Sequence, residues 1–138
     1  MKTPKKRAPR GRPPTITRKK IADAGIQIAL PNITFVGLAA ALGVSHMALY
    51  KHVPSLDALK HLVAEEIFTR WEIPPTRGVK HEELKDYLIR FTLSVRNFVK
   101  THPGITTYVI RRLAATQPML DKITEHQQHI AHAYELSN

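Results

Sequence analysis

Apolar positions along this chain recur at the three- and four-residue spacing of helices. The tightest such pattern lies between Thr34 and Val53. Phe35, Leu38, Ala39 and Leu42 fall at i, i+3, i+4 and i+7, and so share one helical face. Thr34 precedes them as an N-cap, able to accept from the free N–H groups of the first turn. Gly43 then permits a sharp, left-handed reversal, and Val44 is a small apolar plug for the elbow. Ser45 caps a second helix that runs to about His52. Leu49 faces the core from it, while His46, Met47, Tyr50, Lys51 and His52 carry donors or bulk outward. Two short helices joined by a glycine turn predict a helix-turn-helix whose second helix is shaped for a DNA major groove.

The flanks extend the helical pattern. Thr17 caps a first helix from Arg18 to about Leu30, with Ile21, Gly25, Ile28 and Ala29 on one face and Pro31 and Asn32 making the close. Gly37 inside the second helix costs up to ~1 kcal/mol relative to alanine. Ser55 caps a fourth helix with the stripe Leu59, Leu62, Val63, Ile67 and Trp71. A linker from Ile73 to Gly78 follows. Then comes a long amphipathic helix from about Lys80 to Thr101, lined by Leu84, Leu88, Phe91, Val95 and Phe98, with Tyr87 and Val99 beside them. A shorter helix from Ile105 to Thr116 turns Tyr108, Val109 and Leu113 inward. A last one from Pro118 to about Glu135 turns in Leu120, Ile123, Ile130 and Tyr134. The expected fold is all-α.

Charge changes the picture at one end only. Lys2, Lys5, Lys6, Arg7, Arg10, Arg12, Arg18, Lys19 and Lys20 place nine basic and no acidic groups in the first twenty residues. The full chain of 138 residues carries +10, so the rest is close to neutral. A basic arm on a near-neutral body points to a polyanion, usually nucleic acid. Residues 1–15 also hold four prolines, which predicts a disordered basic arm. Within it Pro9-Arg10-Gly11-Arg12-Pro13-Pro14 resembles an AT-hook core, with Arg10 and Arg12 suited to a narrow minor groove. A solvated arm making nonspecific phosphate contacts explains the same residues more simply. There is no cysteine, hence no disulfide framework and no thiolate metal site, which fits a cytoplasmic chain. No apolar run suits a secretory signal or a membrane span.

Leu38-Ala39, Leu42-Gly43-Val44-Ser45, Leu49-Tyr50-Lys51-His52-Val53 and Ser55-Leu56-Asp57-Ala58-Leu59 together resemble the N-terminal domain of the TetR family of bacterial repressors. The resemblance spans about Arg10 to Trp71. It implies a four-helix DNA-binding domain over residues 16–73. It also implies that residues 79–138 are the first helices of a ligand-binding and dimerisation domain, here incomplete. The family usually has a glycine at the position of Ala29 and often a phosphate-contacting base at the position of Leu56. The family pairs through two further helices, for which no sequence remains after Asn138. The expectation is therefore a fragment, a monomer, or a weak dimer through the last helix with Ile130 and Tyr134 part-exposed.

The expected function is sequence-specific binding of a double-stranded operator, as a transcriptional regulator and most simply a repressor, with a possible small-molecule effector. The DNA-binding candidates are Thr34, Ser45, His46, Met47, Tyr50, Lys51 and His52, with Arg10 and Arg12 of the arm. Tyr50 can reach a phosphate or a thymine methyl, Lys51 and His52 phosphates, and His46 and Met47 base edges. Tyr50 and His52 could instead simply pack against the fourth helix. Phe91, Phe98 and Tyr108 are candidates for an effector pocket, although such stripes are often plain core. His126, His129 and His132 read as a solvated or partner-facing surface rather than a metal site. No cofactor, metal or catalytic constellation is expected, and so no enzyme. The alternatives are a truncated family member without autonomous regulation, or a basic nucleic-acid-coating protein that uses the arm alone.

Overall fold

The computed structural model describes residues 15–109 and 115–136. The basic arm with Arg10 and Arg12 lies outside the described residues, but for Thr15, and so does Leu113. The described chain is all-helical. Its helices are α1 (Arg18–Ile28), α2 (Phe35–Leu42), α3 (His46–His52), α4 (Leu56–Arg70), α5 (Leu84–Thr101), α6 (Thr106–Val109) and α7 (Gln117–Ala133), with a 3-10 turn at Leu30–Asn32. None of them is long and apolar enough to cross a membrane.

Thr17 Oγ1 accepts from Lys20 N at 3.1 Å and starts α1. The helix stops two residues before the expected Leu30. Ala29 itself adopts φ 82°, ψ 137°, and its N–H donates to Gly25 O at 2.9 Å. The early stop turns Leu30 and Ile33, 3% and 2% exposed, into the core. An L side chain in that backbone region is strained by about 1–3 kcal/mol, whereas glycine is not. Ala29→Gly should therefore stabilise the fold by up to about 1–2 kcal/mol in chemical denaturation. A loss of stability of the size seen for glycine inside a helix would refute the strain.

α4 is the element on which α1 and α7 pack, while α2 packs on α1 and α3 on α2. Ser55 Oγ accepts from Ala58 N at 3.0 Å, and Leu59, Val63, Ala64, Ile67 and Phe68 are buried along its length. α1 crosses it with no side chain between Gly25 and Val63. Arg18 bonds Glu65 and Glu66, each at 2.7 Å, and Arg70 reaches Asp23 at 2.7 Å. These partly exposed ion pairs orient α1 more than they stabilise it.

The buried cluster continues from α1 through Phe98 and Ile105 to Met119 of α7. Lys122 ties α7 to α4. Its ammonium donates to Phe68 O, Thr69 O and Trp71 O at 2.7, 3.0 and 2.6 Å around the C-terminal end of α4, where Phe68 O also accepts from Trp71 N at 3.2 Å. Burial holds the Lys122 amine below its usual pKa.

α5 is rotated from the face read in the sequence. Leu88 is exposed, whereas Tyr87 is fully buried. The inward line is Tyr87, Phe91, Ser94 and Phe98, at i, i+4, i+7 and i+11. Ser94 disguised it, because a polar residue sits on the core side, where its Oγ accepts from Trp71 Nε1 at 3.2 Å. The linker is strapped to this helix. Arg90 donates to Pro75 O at 2.9 Å and grips Glu82 with two 2.8 Å bonds, which hold the Glu82 carboxyl below its usual range.

Candidate nucleic-acid interface

The α2–α3 pair is built from three short-range devices. Thr34 Oγ1 accepts from Gly37 N at 3.0 Å and opens α2. A Cβ at position 37 would lie 2.9 Å from that same oxygen, which accounts for a glycine inside the helix. Gly43 takes the left-handed conformation, φ 72°, ψ 28°, and ends α2. Its N–H donates to Ala40 O at 3.1 Å, and Val44 N–H donates to Ala39 O at 3.0 Å. Ser45 Oγ then accepts from Ala48 N at 3.1 Å and starts α3. The Thr34 and Ser45 oxygens are thus occupied within the chain. Each hydroxyl keeps its proton and a second lone pair for a partner outside the chain.

α3 is anchored by one residue. Leu49 is fully buried, and Val53 at the end of the helix is 3% exposed. His46, Lys51 and His52 are exposed, and Met47 is 61% exposed. Tyr50 is 43% exposed, yet its ring is not free. It stacks on Phe35 of α2, with centroids 4.0 Å apart and planes 9° apart. The ring therefore packs on α2 rather than on α4. Val36, 69% exposed, adds an apolar side chain on α2 that the sequence reading left out. The surface of α3 can accordingly offer a positioned aromatic edge, imidazole and ammonium donors, and a thioether.

The effector candidates separate. Phe91 lines a cleft of about 620 Å³ between α5, α7 and the end of α4, together with Phe68, Trp71, Tyr87, Ile123 and His126. Phe98 does not line it. It is 6% exposed and stacks on Trp71 at 4.6 Å, inside the core. Tyr108 stands elsewhere, edge-on to His61 at 5.0 Å. His126 corrects the reading of the three histidines as a solvated surface. Its ring lies on Phe91 at 4.7 Å, and its Nε2 is 2.8 Å from Tyr87 Oη. Tyr87 donates its proton to Pro74 O at 2.7 Å, so its oxygen is left to accept from His126 Nε2–H. Burial, and then His129, lower the His126 pKa, while burial raises that of Tyr87. His129 and His132 are exposed as expected, and no described group of His, Cys, Asp or Glu is arranged to hold a metal ion.

No known protein family, curated protein or solved structure matches the chain.

Met119 and His126 were missed as inward-facing residues, and Tyr87 was read only as flanking the inward face of its helix. For α7 the signal was present, since Met119, Ile123, His126 and Ile130 fall at i, i+4, i+7 and i+11. His126 was set aside because the neighbouring histidines suggested a common polar face. Tyr134 is 7% exposed and packs beside Tyr87 at 6.3 Å, inward as the periodicity of the last helix indicates and not part-exposed as the incomplete domain implied.

Proposed function

We propose that this chain is a TetR-like transcriptional regulator, cytoplasmic and non-enzymatic, whose α2–α3 pair is a helix-turn-helix that reads an operator duplex. The observation that supports it most is the division of labour within α3. One buried leucine anchors the helix, and His46, Met47, Tyr50, Lys51 and His52 are all exposed on a helix of only seven residues. Both helices are capped by hydroxyls around a left-handed glycine. In this reading α3 lies in the major groove, Tyr50 and Lys51 approach phosphates, and His46 and Met47 face base edges. The arm adds counterion-releasing contacts, with Arg10 and Arg12 available to the minor groove. The cleft beside Phe91 is the seat of a small-molecule effector, which makes the protein a ligand-responsive repressor.

Substitutions on α3 test this. Tyr50→Ala should weaken specific binding by about 1–3 kcal/mol while circular dichroism stays helical. Tyr50→Phe keeps the stack on Phe35 and isolates the hydroxyl, so a smaller loss is expected. Lys51→Ala should weaken all duplexes evenly and reduce the salt slope by about one. Unchanged affinity in both alanine variants would remove α3 from the interface. The concentration of charge in the first twenty residues favours one rival, a nucleic-acid-coating protein that binds through its arm. That rival predicts no effect from Tyr50 at all.

A further inference from the structure

Among the described residues, the outer face of α5 has no cover. Leu88, Ile89 and Leu93 are 45%, 52% and 58% exposed, with Leu88 at the ridge that this face shares with the cleft beside Phe91. With Lys85 and Thr92 they fall at i, i+3, i+4, i+7 and i+8, and line one shallow groove along the helix. The opposite face of the same helix is already buried through Tyr87 and Phe98. A helix that is apolar on two sides, with three large side chains contiguous on the open one, has the form of an interface.

Charge says what fits there. The first turns of α5 carry exposed Glu83 and Asp86, and the last turns carry exposed Arg96 and Lys100. A helix that is acidic at one end and basic at the other complements itself when antiparallel and repels itself when parallel. Setting Ile89 against the partner's Leu93 brings Asp86 opposite the partner's Arg96. Two-fold symmetry then repeats each pair. Lys85 is the one cation at the acidic end, and in this register it meets the partner's Asn97 rather than another cation. A uniformly acidic or uniformly basic partner would find like charge at one end of the groove.

We propose that the outer face of α5 is the interface of an antiparallel, two-fold homodimer of this chain. α7 is not the contact, since Tyr134 is buried and Ile130 is half-buried on the wall of the cleft. The proposal stands on α5 alone and holds whether or not the chain reads DNA. A dimer that binds no duplex would refute only the proposed function, and a monomer that binds one specifically would refute only the dimer.

Sedimentation equilibrium of the full chain over ~1–100 µM tests it, at an ionic strength of ~0.15 M to screen the basic arm. A reversible dimer is expected. Leu93→Asp should weaken it at least ~10-fold, without loss of helicity because the position is exposed. Asp86→Arg and Arg96→Asp should each weaken it by roughly 2- to 30-fold, since each change removes two symmetric pairs. The double variant should return toward the wild-type constant, which a general loss of folding could not produce. A wild-type chain that remains monomeric overturns the proposal. So does a dimer indifferent to Leu93→Asp, or a double variant no better than the singles.

Discussion

Leu49→Ala should destabilise the chain by about 2–5 kcal/mol, seen as a fall in melting temperature of roughly 6–20 °C. The expected size follows from geometry. Leu49 is fully buried, and it is the only buried residue of a seven-residue helix. Helices this short are not stable by propensity, so α3 exists because Leu49 and the Ser45 cap hold it to the body. Truncation leaves a cavity that a well-packed neighbourhood closes only in part. The variant should also lose more specific DNA affinity than its folded fraction accounts for, because α3 loses its orientation. A loss below about 1 kcal/mol would mean that α3 is held by contacts other than this one.

Gly25→Ala should show the reverse of the usual sign. On an exposed helical site the change stabilises by up to about 1 kcal/mol. Here the new Cβ would sit 2.7 and 2.9 Å from the two Val63 methyls and 3.3 Å from Ile33 Cδ1. A valine in a helix has one strongly preferred rotamer and cannot swing its methyls away. α1 must therefore move off α4, and overpacking of this kind costs about 1–3 kcal/mol. A net loss of up to about 2 kcal/mol is expected once the propensity gain is subtracted. Val63→Ala should remove the clash, so the double variant should be more stable than the sum of the two changes. Denaturant midpoints for the four proteins decide it. A Gly25→Ala chain more stable than the parent, as at an exposed helical site, would show that α1 and α4 are not packed this closely.

The parts of the fold that depend on local chemistry were legible in the sequence. The caps Thr17, Thr34, Ser45 and Ser55 and the turn at Gly43 were all read correctly, because each needs only residues three or four positions away. Rotation of a helix about its axis was less legible. The face of α5 was misplaced because Ser94 is polar and core-facing while Leu88 is apolar and exposed, so burial and residue type part company at both positions. Ala29 was missed for a related reason. Proline two residues on marks a helix end, but nothing in the local sequence requires an alanine to take a positive φ. In the candidate interface the outward set of α3 was legible from one turn of periodicity. The stack of Tyr50 on Phe35 was not, since it depends on how α2 and α3 cross. In the cleft, the pairing of Tyr87 with His126 joins residues 39 positions apart, a separation that no local pattern encodes.

The most direct test of sequence reading by α3 is a competition titration. Duplexes are first selected from a random library on the full chain, and the winner is labelled. Unlabelled winner and a scrambled duplex of the same composition then compete for the protein at ~0.15 M salt. Specific readout predicts that the scrambled duplex needs at least ~10³-fold more material for equal displacement. It also predicts that this ratio shrinks in Tyr50→Ala. Equal displacement by the two duplexes would contradict the account and leave only charge-driven binding through the arm.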